Sequence, residues 1–329
     1  MSKRIAFGLA LSLFAALICW TAASYSWNRS LQLSPLTLAI VAGMAVGNLT
    51  PRGLLEAFHP GLRFSQQTLL RLGIVLYGVR LTVNDLRNLG PRALALDLIV
   101  ISTVLLAGYW LGTRVFGLDR DTALLVSAGS GICGAAAVLA MDRVIESDSY
   151  KVSVAVATVV VFGTIAMFLY PAIYPMTGFS ERQFGIYAGA TVHEVAQVLA
   201  AGRAVSQAAS DTAVVTKMLR VLLLAPALLV VSRLRRNDGK GGSSRIQFPM
   251  FVLWFAAVIL VQSVIAIPGA VRSGLINLDT VLLSSAMFAL GVGTRWSRMK
   301  EAGLKPLSLA LIIFTGLVIG GWTITRLLV

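Results

Sequence analysis

Two serines and three glycines crowd into eight residues, Ser127-Ala128-Gly129-Ser130-Gly131-Ile132-Cys133-Gly134, inside a long apolar run. Glycine loses more backbone freedom than any other residue on entering a helix, so this run is a weak point in one. A break there would free backbone N–H and C=O groups. At membrane depth such groups persist only where protein or a water-filled cavity satisfies them. The half-helix after the break would aim N–H groups and a positive dipole end inward, which attracts an anion. Ser127, Gly129, Ser130, Gly131, Cys133 and Gly134 are therefore candidate substrate contacts. Close packing of small residues against a neighbouring helix is the competing explanation.

A second constellation is His193-Glu194-Val195-Ala196-Gln197. On a continuous helix His193 and Gln197 share one face. The pattern approaches the zinc-protease H-E-x-x-H, but Gln197 stands where the second histidine belongs, and the other histidine of the chain is His59. Zinc takes three or four suitable protein ligands, so no metal and no cofactor is expected. A polar face on a permeation path fits better, with Glu194 as the coupling group or His193 exchanging a proton. Lys217 and Arg220, three apart, form a third candidate. Arg220 offers a planar fork and Lys217 a point charge, and together they could clamp an oxyanion. Snorkelling to the interface or pairing with Glu194 is the alternative. Arg71 and Arg80 frame another apolar run, and Asp97 is a lone acid expected to pair with an arginine. Within apolar segments the cations Arg71, Arg80, Lys217 and Arg220 outnumber Asp97 and Glu194, which favours an anionic cargo.

The elements that must position these residues are membrane helices. The chain is 57% hydrophobic and 13% charged, with a mean hydropathy of +0.82. A soluble domain carries about 25% charged residues, so the bilayer must be the solvent here. Spans need roughly 20 apolar residues each. Eleven segments qualify: 5–24, 36–50, 66–82, 92–112, 121–143, 151–175, 184–204, 211–232, 248–268, 278–296 and 305–328. The expected fold is an all-α transmembrane bundle forming a single integral membrane domain over 1–329. Residues 5–24 add an extra first helix, 36–175 form a first repeat region and 184–328 a second.

The net charge of +14 does not indicate nucleic acid, because the basic residues are scattered through short loops between apolar runs. With the N-terminus cytoplasmic and the C-terminus periplasmic, most of them fall inside, including the cluster Arg233, Arg235, Arg236, Lys240 and Arg245. The stretch from Arg233 to Gln247 reads as a flexible linker. Cys19 and Cys133 both lie in apolar runs, against a disulfide framework. No G-x-x-x-x-G-K-[ST] loop is present.

Residues 78–108 align with 291–321. Gly78-Val79 match Gly291-Val292, Gly90 matches Gly303, and Gly108 matches Gly321. The expected topology runs the two copies in opposite directions, as in secondary transporters with a site near the midplane.

Four motifs carry a resemblance to a known family. They are Leu70-Arg71-Leu72-Gly73-Ile74-Val75-Leu76-Tyr77-Gly78-Val79-Arg80-Leu81, Gly129-Ser130-Gly131-Ile132-Cys133-Gly134, His193-Glu194-Val195-Ala196-Gln197-Val198 with Ala200-Ala201-Gly202, and Lys217-Met218-Leu219-Arg220-Val221. Together they resemble the YeiH-type family of bacterial inner-membrane proteins, also called the sulfate exporter family, over nearly the whole chain. Ala135-Ala136-Ala137 stands where that family implies a more polar residue. More distantly, the chain resembles the sodium/proton antiporter and bile-acid symporter group, with five-plus-five inverted repeats and two crossed, broken helices. That resemblance implies one crossing at 127–134. Helix counting places the second at 278–296, with Gly291 and Gly293, although the internal repeat pairs 278–296 with 66–82.

The leading expectation is secondary transport of a small anion, with sulfate or sulfite implied by the family label, and with proton or sodium coupling. The lipid bilayer is a partner and a homodimer is an expected assembly. Two alternatives stand beside it. One is cation/proton antiport through Glu194 or Asp97. The other is a membrane-embedded enzyme using Ser130 or Cys133 with His193, for which the pattern is weak. No enzyme activity is expected.

Overall fold

The computed structural model describes residues 3–24, 34–237, 250–265, 267–294 and 303–329. Most of the expected 233–247 linker lies outside them, as do Arg29, Arg295, Arg298 and Lys300. The α-helices of eight residues or more begin, in chain order, with α1 (Lys3–Ser24), α2 (Pro35–Leu49), α3 (Leu70–Tyr77) and α4 (Val83–Trp110). Next come α5 (Arg120–Ala128), α6 (Ala135–Ile145), α7 (Ser149–Thr177), α8 (Glu181–Thr191) and α9 (Val195–Arg203). The chain continues with α10 (Gln207–Leu222), α11 (Leu224–Asn237), α12 (Met250–Val264), α13 (Gly269–Gly293) and α14 (Leu304–Leu328). No strand occurs among the described residues, so the fold is an all-helical membrane bundle. Six helices are long and apolar enough to cross a membrane, joined by shorter apolar ones.

The chain divides into two compact units, 1–87 with 250–296, and 88–249 with 297–329. In the first unit α2 packs on α13 at backbone distance. A Cβ on Gly43 or on Gly291 would strike the carbonyl of Phe288 or of Ile40, so only glycine permits the approach. Ser12, Ser65 and Ser285 share a buried hydroxyl chain, with oxygens 2.7 Å and 2.9 Å apart. Arg80 forms an ion pair with Asp279 at 2.7 Å.

The second unit holds the candidate residues. Its central feature follows from one surface cluster: Lys151, at the start of α7, binds Asp119 at 2.9 Å and Asp121 at 3.3 Å. Residues 119–121 and 151 therefore lie at the same end of the unit, here called the near end. Between them the chain enters as α5, breaks at 129–134 and returns as α6. These arms have 9 and 11 residues, about 14 and 16 Å, each roughly half of a ~30 Å hydrocarbon core. The expected span at 121–143 is thus corrected to a re-entrant hairpin. Asp119 caps its entry, accepting from the Thr122 N–H at 3.1 Å and the Thr122 hydroxyl at 2.6 Å. Partial burial opposes ionisation of Asp119, but hydrogen bonds from Thr122 and Lys151 outweigh it and hold the carboxyl at about 2. Its contribution to anchoring the hairpin is present above the ordinary carboxylate range and is lost as pH falls through about 2.

The expected span at 184–204 is corrected in the same way. Gly185 and Gly189 of α8 lie against Thr212 and Thr216 of α10, while Gly202 of α9 lies against Ser210. The start of α8, the end of α9 and the start of α10 thus share the opposite, far end. Ser180 and Gln183 close a capping box at the entry of α8, with bonds of 3.0 and 3.3 Å. The two hairpins enter from opposite ends, and α4, α7, α10–α11 and α14 run past them.

The repeat has a physical counterpart. Gly90 (φ 72°, ψ 173°) and Gly303 (φ 79°, ψ 158°) open the apolar parts of α4 and α14 in the same left-handed conformation. Leu81 N–H donates to Gly78 at 3.1 Å and Thr294 N–H to Gly291 at 2.9 Å, the same turn in the same register. Gly108 and Gly112 of α4 meet Ile313 and Leu309 of α14, so these copies run antiparallel.

The hairpins set a direct expectation. With Cys19 and Cys133 replaced by alanine, Arg120→Cys and Asp148→Cys should label from one side of the membrane with an impermeant maleimide. Glu181→Cys and Ala204→Cys should label from the other. Labelling of the first pair from opposite sides would restore an uninterrupted span.

Candidate functional site

The tips of the two hairpins meet inside the second unit. In the first tip a π-type turn over Gly129–Cys133 ends at Gly134, whose φ of 74° and ψ of −140° suit glycine alone. A Cβ there would also strike the Glu194 side chain. In the second tip Val192 (φ −71°, ψ 146°) and Glu194 (φ −114°, ψ 151°) are extended. Glu194 caps α9, its N–H donating to Gln197 Oε1 at 3.1 Å. The second broken helix is therefore at 192–194. The stretch that helix counting chose, with Gly291 and Gly293, lies mostly in the continuous helix α13, where these glycines serve packing and helix termination. His193 and Gln197 also do not share a helix face, because His193 lies in the break.

Each break frees carbonyls at the end of one arm and N–H groups at the start of the next. Three side chains satisfy them across the tips. Lys217 Nζ donates to Ile132 O at 2.9 Å in the first tip and to Val192 O at 2.6 Å in the second. Arg220 donates to Gly131 O through Nε at 2.9 Å, again through Nη2, and to Ala190 O through Nη1. Glu194 Oε1 accepts the Ala135 N–H at 3.2 Å, at the start of α6. Cations thus sit at two negative dipole ends and a carboxylate at a positive one. The expectation that α6 offers a free N–H end is corrected at Ala135, which the chain's own carboxylate holds. Lys217 and Arg220 are both 0% exposed, so neither snorkels. No carboxylate forms an ion pair with either of them among the described residues.

Around these links lie polar groups with no partner. Ser130 Oγ and both ring nitrogens of His193 are 1% exposed and unbonded, and Gln197 Nε2 is buried and unbonded. The side-chain amide of Gln197 lies against Gly163 of α7, where a Cβ would displace it. The first-turn residues Ala136, Val195 and Ala196 carry N–H groups with no intrahelical acceptor. Ser127 is directed elsewhere: its hydroxyl donates to Ala123 O at 2.7 Å and packs against Gly108 of α4. Cys133 is a buried free thiol.

The site also contains Asp97, which the sequence reading assigned to an arginine partner. It is 0% exposed, neither carboxylate oxygen has a hydrogen-bond partner, and it lies within electrostatic reach of Arg220 and Lys217. Its signal was a single acid in an apolar run. The net-positive interior is corrected too. Arg71 is exposed and Arg80 is paired with Asp279, leaving Lys217 and Arg220 against Asp97 and Glu194.

Fold and site define a multi-pass helical membrane protein with a polar centre built from two re-entrant hairpins. The chain belongs to the family described as Conserved hypothetical protein 698, whose model matches residues 7–310. It is 46% identical over 322 residues to the UPF0324 inner membrane protein YeiH of Escherichia coli K12, covering 96% of this chain and 92% of the relative. The YeiH protein of Salmonella typhi is 48% identical over 300 residues, covering 90% and 86%. A UPF0324 membrane protein of Pseudomonas aeruginosa is 44% identical over 331 residues, covering 97% and 93%. No solved structure matches the chain.

Arg220→Met should leave the carbonyls of Gly131 and Ala190 without a donor. At about 1–3 kcal/mol for each buried orphan, stability should fall by roughly 2–6 kcal/mol. Thermal unfolding of the purified protein in detergent measures it. Arg220→Lys should recover only part, since an ammonium cannot reproduce the fork. A melting temperature unchanged in Arg220→Met would show that the guanidinium does not hold the tips.

Proposed function

We propose that the protein is a secondary transporter whose cargo, a small anion, binds between the hairpin tips. The observation that carries this reading is the set of buried, unpartnered donors at one place: Ser130, His193 and Gln197 beside the N-terminal ends of α6 and α9. Inside a membrane such donors are costly unless a ligand or water meets them. The two carbonyl ends, which would suit a cation, are occupied by Lys217 and Arg220. One hairpin belongs to each repeat region, 36–175 and 184–328. Entry from opposite ends gives the tips a route to either side, as alternating access requires.

Glu194 holds the Ala135 N–H that an incoming anion would use. Its carboxylate and the cargo therefore compete, and a proton on Glu194 favours the cargo. Sulfate and sulfite, as oxyanions, match the donor set by charge and by their capacity to accept several hydrogen bonds. The near end carries Arg114, Arg120, Arg143, Lys151, Arg233 and Lys305, against Arg92, Arg182, Arg203 and Arg326 at the far end. This excess favours a cytoplasmic near end and a periplasmic C-terminus. Cation/proton antiport is the second reading, favoured by the unpartnered oxygens of Asp97.

Proteoliposomes loaded with labelled sulfate or sulfite test the proposal. Flux above empty vesicles is expected, with apparent affinity lowered about ten- to hundredfold in Ser130→Ala and His193→Ala, the worth of one hydrogen bond to a charged group. Sodium/proton exchange without anion flux would select the second reading instead.

A further inference from the structure

Asp97 lies on the face of α4 that packs against the first hairpin. Along the same face, Val104 and the Ile101 carbonyl line the place where a Cβ on Gly131 would sit, at 2.9 and 3.9 Å. The neighbouring stripe of α4, Leu98, Ile101 and Ser102, lines a cavity of about 1130 Å³. The opposite wall is the junction of α10 and α11, beginning at Leu223, three residues beyond Arg220. The near end of the cavity carries Asp119, Arg120 and Asp121 of the first hairpin's entry, Glu146 after α6, and Lys151 of α7. The cavity thus runs from a charged mouth to Leu98, next in sequence to the fully buried Asp97, and to Leu223 at the end of the helix that carries Arg220.

An ionised carboxylate without a donor in this setting is strongly unfavourable. The charged groups that act on Asp97 are Arg220 and Lys217 of α10, whose N–H groups are directed at the hairpin carbonyls. Lys217 has three N–H donors and uses two, and the Arg220 guanidinium has five and uses three. We propose that Asp97 is a proton-binding site of the protein, reached from the near end through this cavity. Water entering at the mouth delivers the proton, one O–H bond forms on a carboxylate oxygen, and no electrons are exchanged. With the proton bound, Lys217 and Arg220 are free to hold both tips. With the proton gone, the Asp97 carboxylate attracts both cations away from the hairpin carbonyls and loosens the tips. Only the link from this proton to cargo movement rests on the transport reading; the site itself is open to direct measurement.

Infrared difference spectroscopy of the full chain in lipid, between mildly acidic and mildly alkaline buffer, tests it. A protonated-carboxyl band that titrates is expected. It should vanish in Asp97→Asn, shift in Asp97→Glu, and persist in Glu194→Gln. Leu98→Trp with Ser102→Trp, which fill the cavity, should slow deuterium exchange of the band without removing it. A band that survives Asp97→Asn, or the absence of any titrating carboxyl band, would overturn the site. Exchange unaffected by the tryptophans would overturn the route. A failed sulfate flux with an intact Asp97 band would count against the anion reading and leave the proton site standing.

Discussion

Backbone groups freed in the middle of an apolar unit must find partners, and this requirement organises the second unit. Two helices are interrupted where water is scarce, and each interruption exposes carbonyls that no helix can satisfy. Lys217 and Arg220 answer four of these carbonyls from one helix, α10. Glu194 answers an N–H from the opposite hairpin. Burying a charge is expensive unless it is paired or well hydrogen-bonded, and here the bonds go to helix-end dipoles rather than to a counter-ion. The arrangement therefore costs most when any one member is removed, and it ties both tips to the same two side chains.

This tie makes the centre responsive. Lys217 and Arg220 balance Asp97 and Glu194 in formal charge, so a small anion or a proton changes the local balance by a large fraction. Glu194 is half-buried and sits at the start of α6, where Ala136 is exposed. Asp97 lies fully buried, nearer the arginine. The two carboxylates thus differ in environment, one at a helix N-terminus and one against the cations, which suits different roles.

Much of this was legible in the sequence, for reasons that also explain the rest. The first break was announced by three glycines, and Gly134 requires a backbone conformation other residues avoid. The repeat was carried by Gly90 and Gly303, which share that kind of constraint. The second break carries no such mark. Thr191-Val192-His193-Glu194 contains neither glycine nor proline, and its signal is a Glu194–Gln197 cap that also fits a helix interior. Re-entry was hidden because two half-length arms and their turn together match one span in length. What reveals it is the meeting of Lys151 with Asp119 and Asp121, 32 and 30 residues apart, which no local pattern encodes. The partners of Lys217 and Arg220 were equally invisible, because backbone carbonyls have no letter in the sequence.

The most direct measurement is an electron cryo-microscopy map of the protein in lipid, at a resolution that separates side chains from backbone. The account predicts continuous density from the Arg220 guanidinium to the carbonyls of Gly131 and Ala190, and from Lys217 to those of Ile132 and Val192. A map with either helix unbroken, or with both cations turned away from the tips, would contradict it.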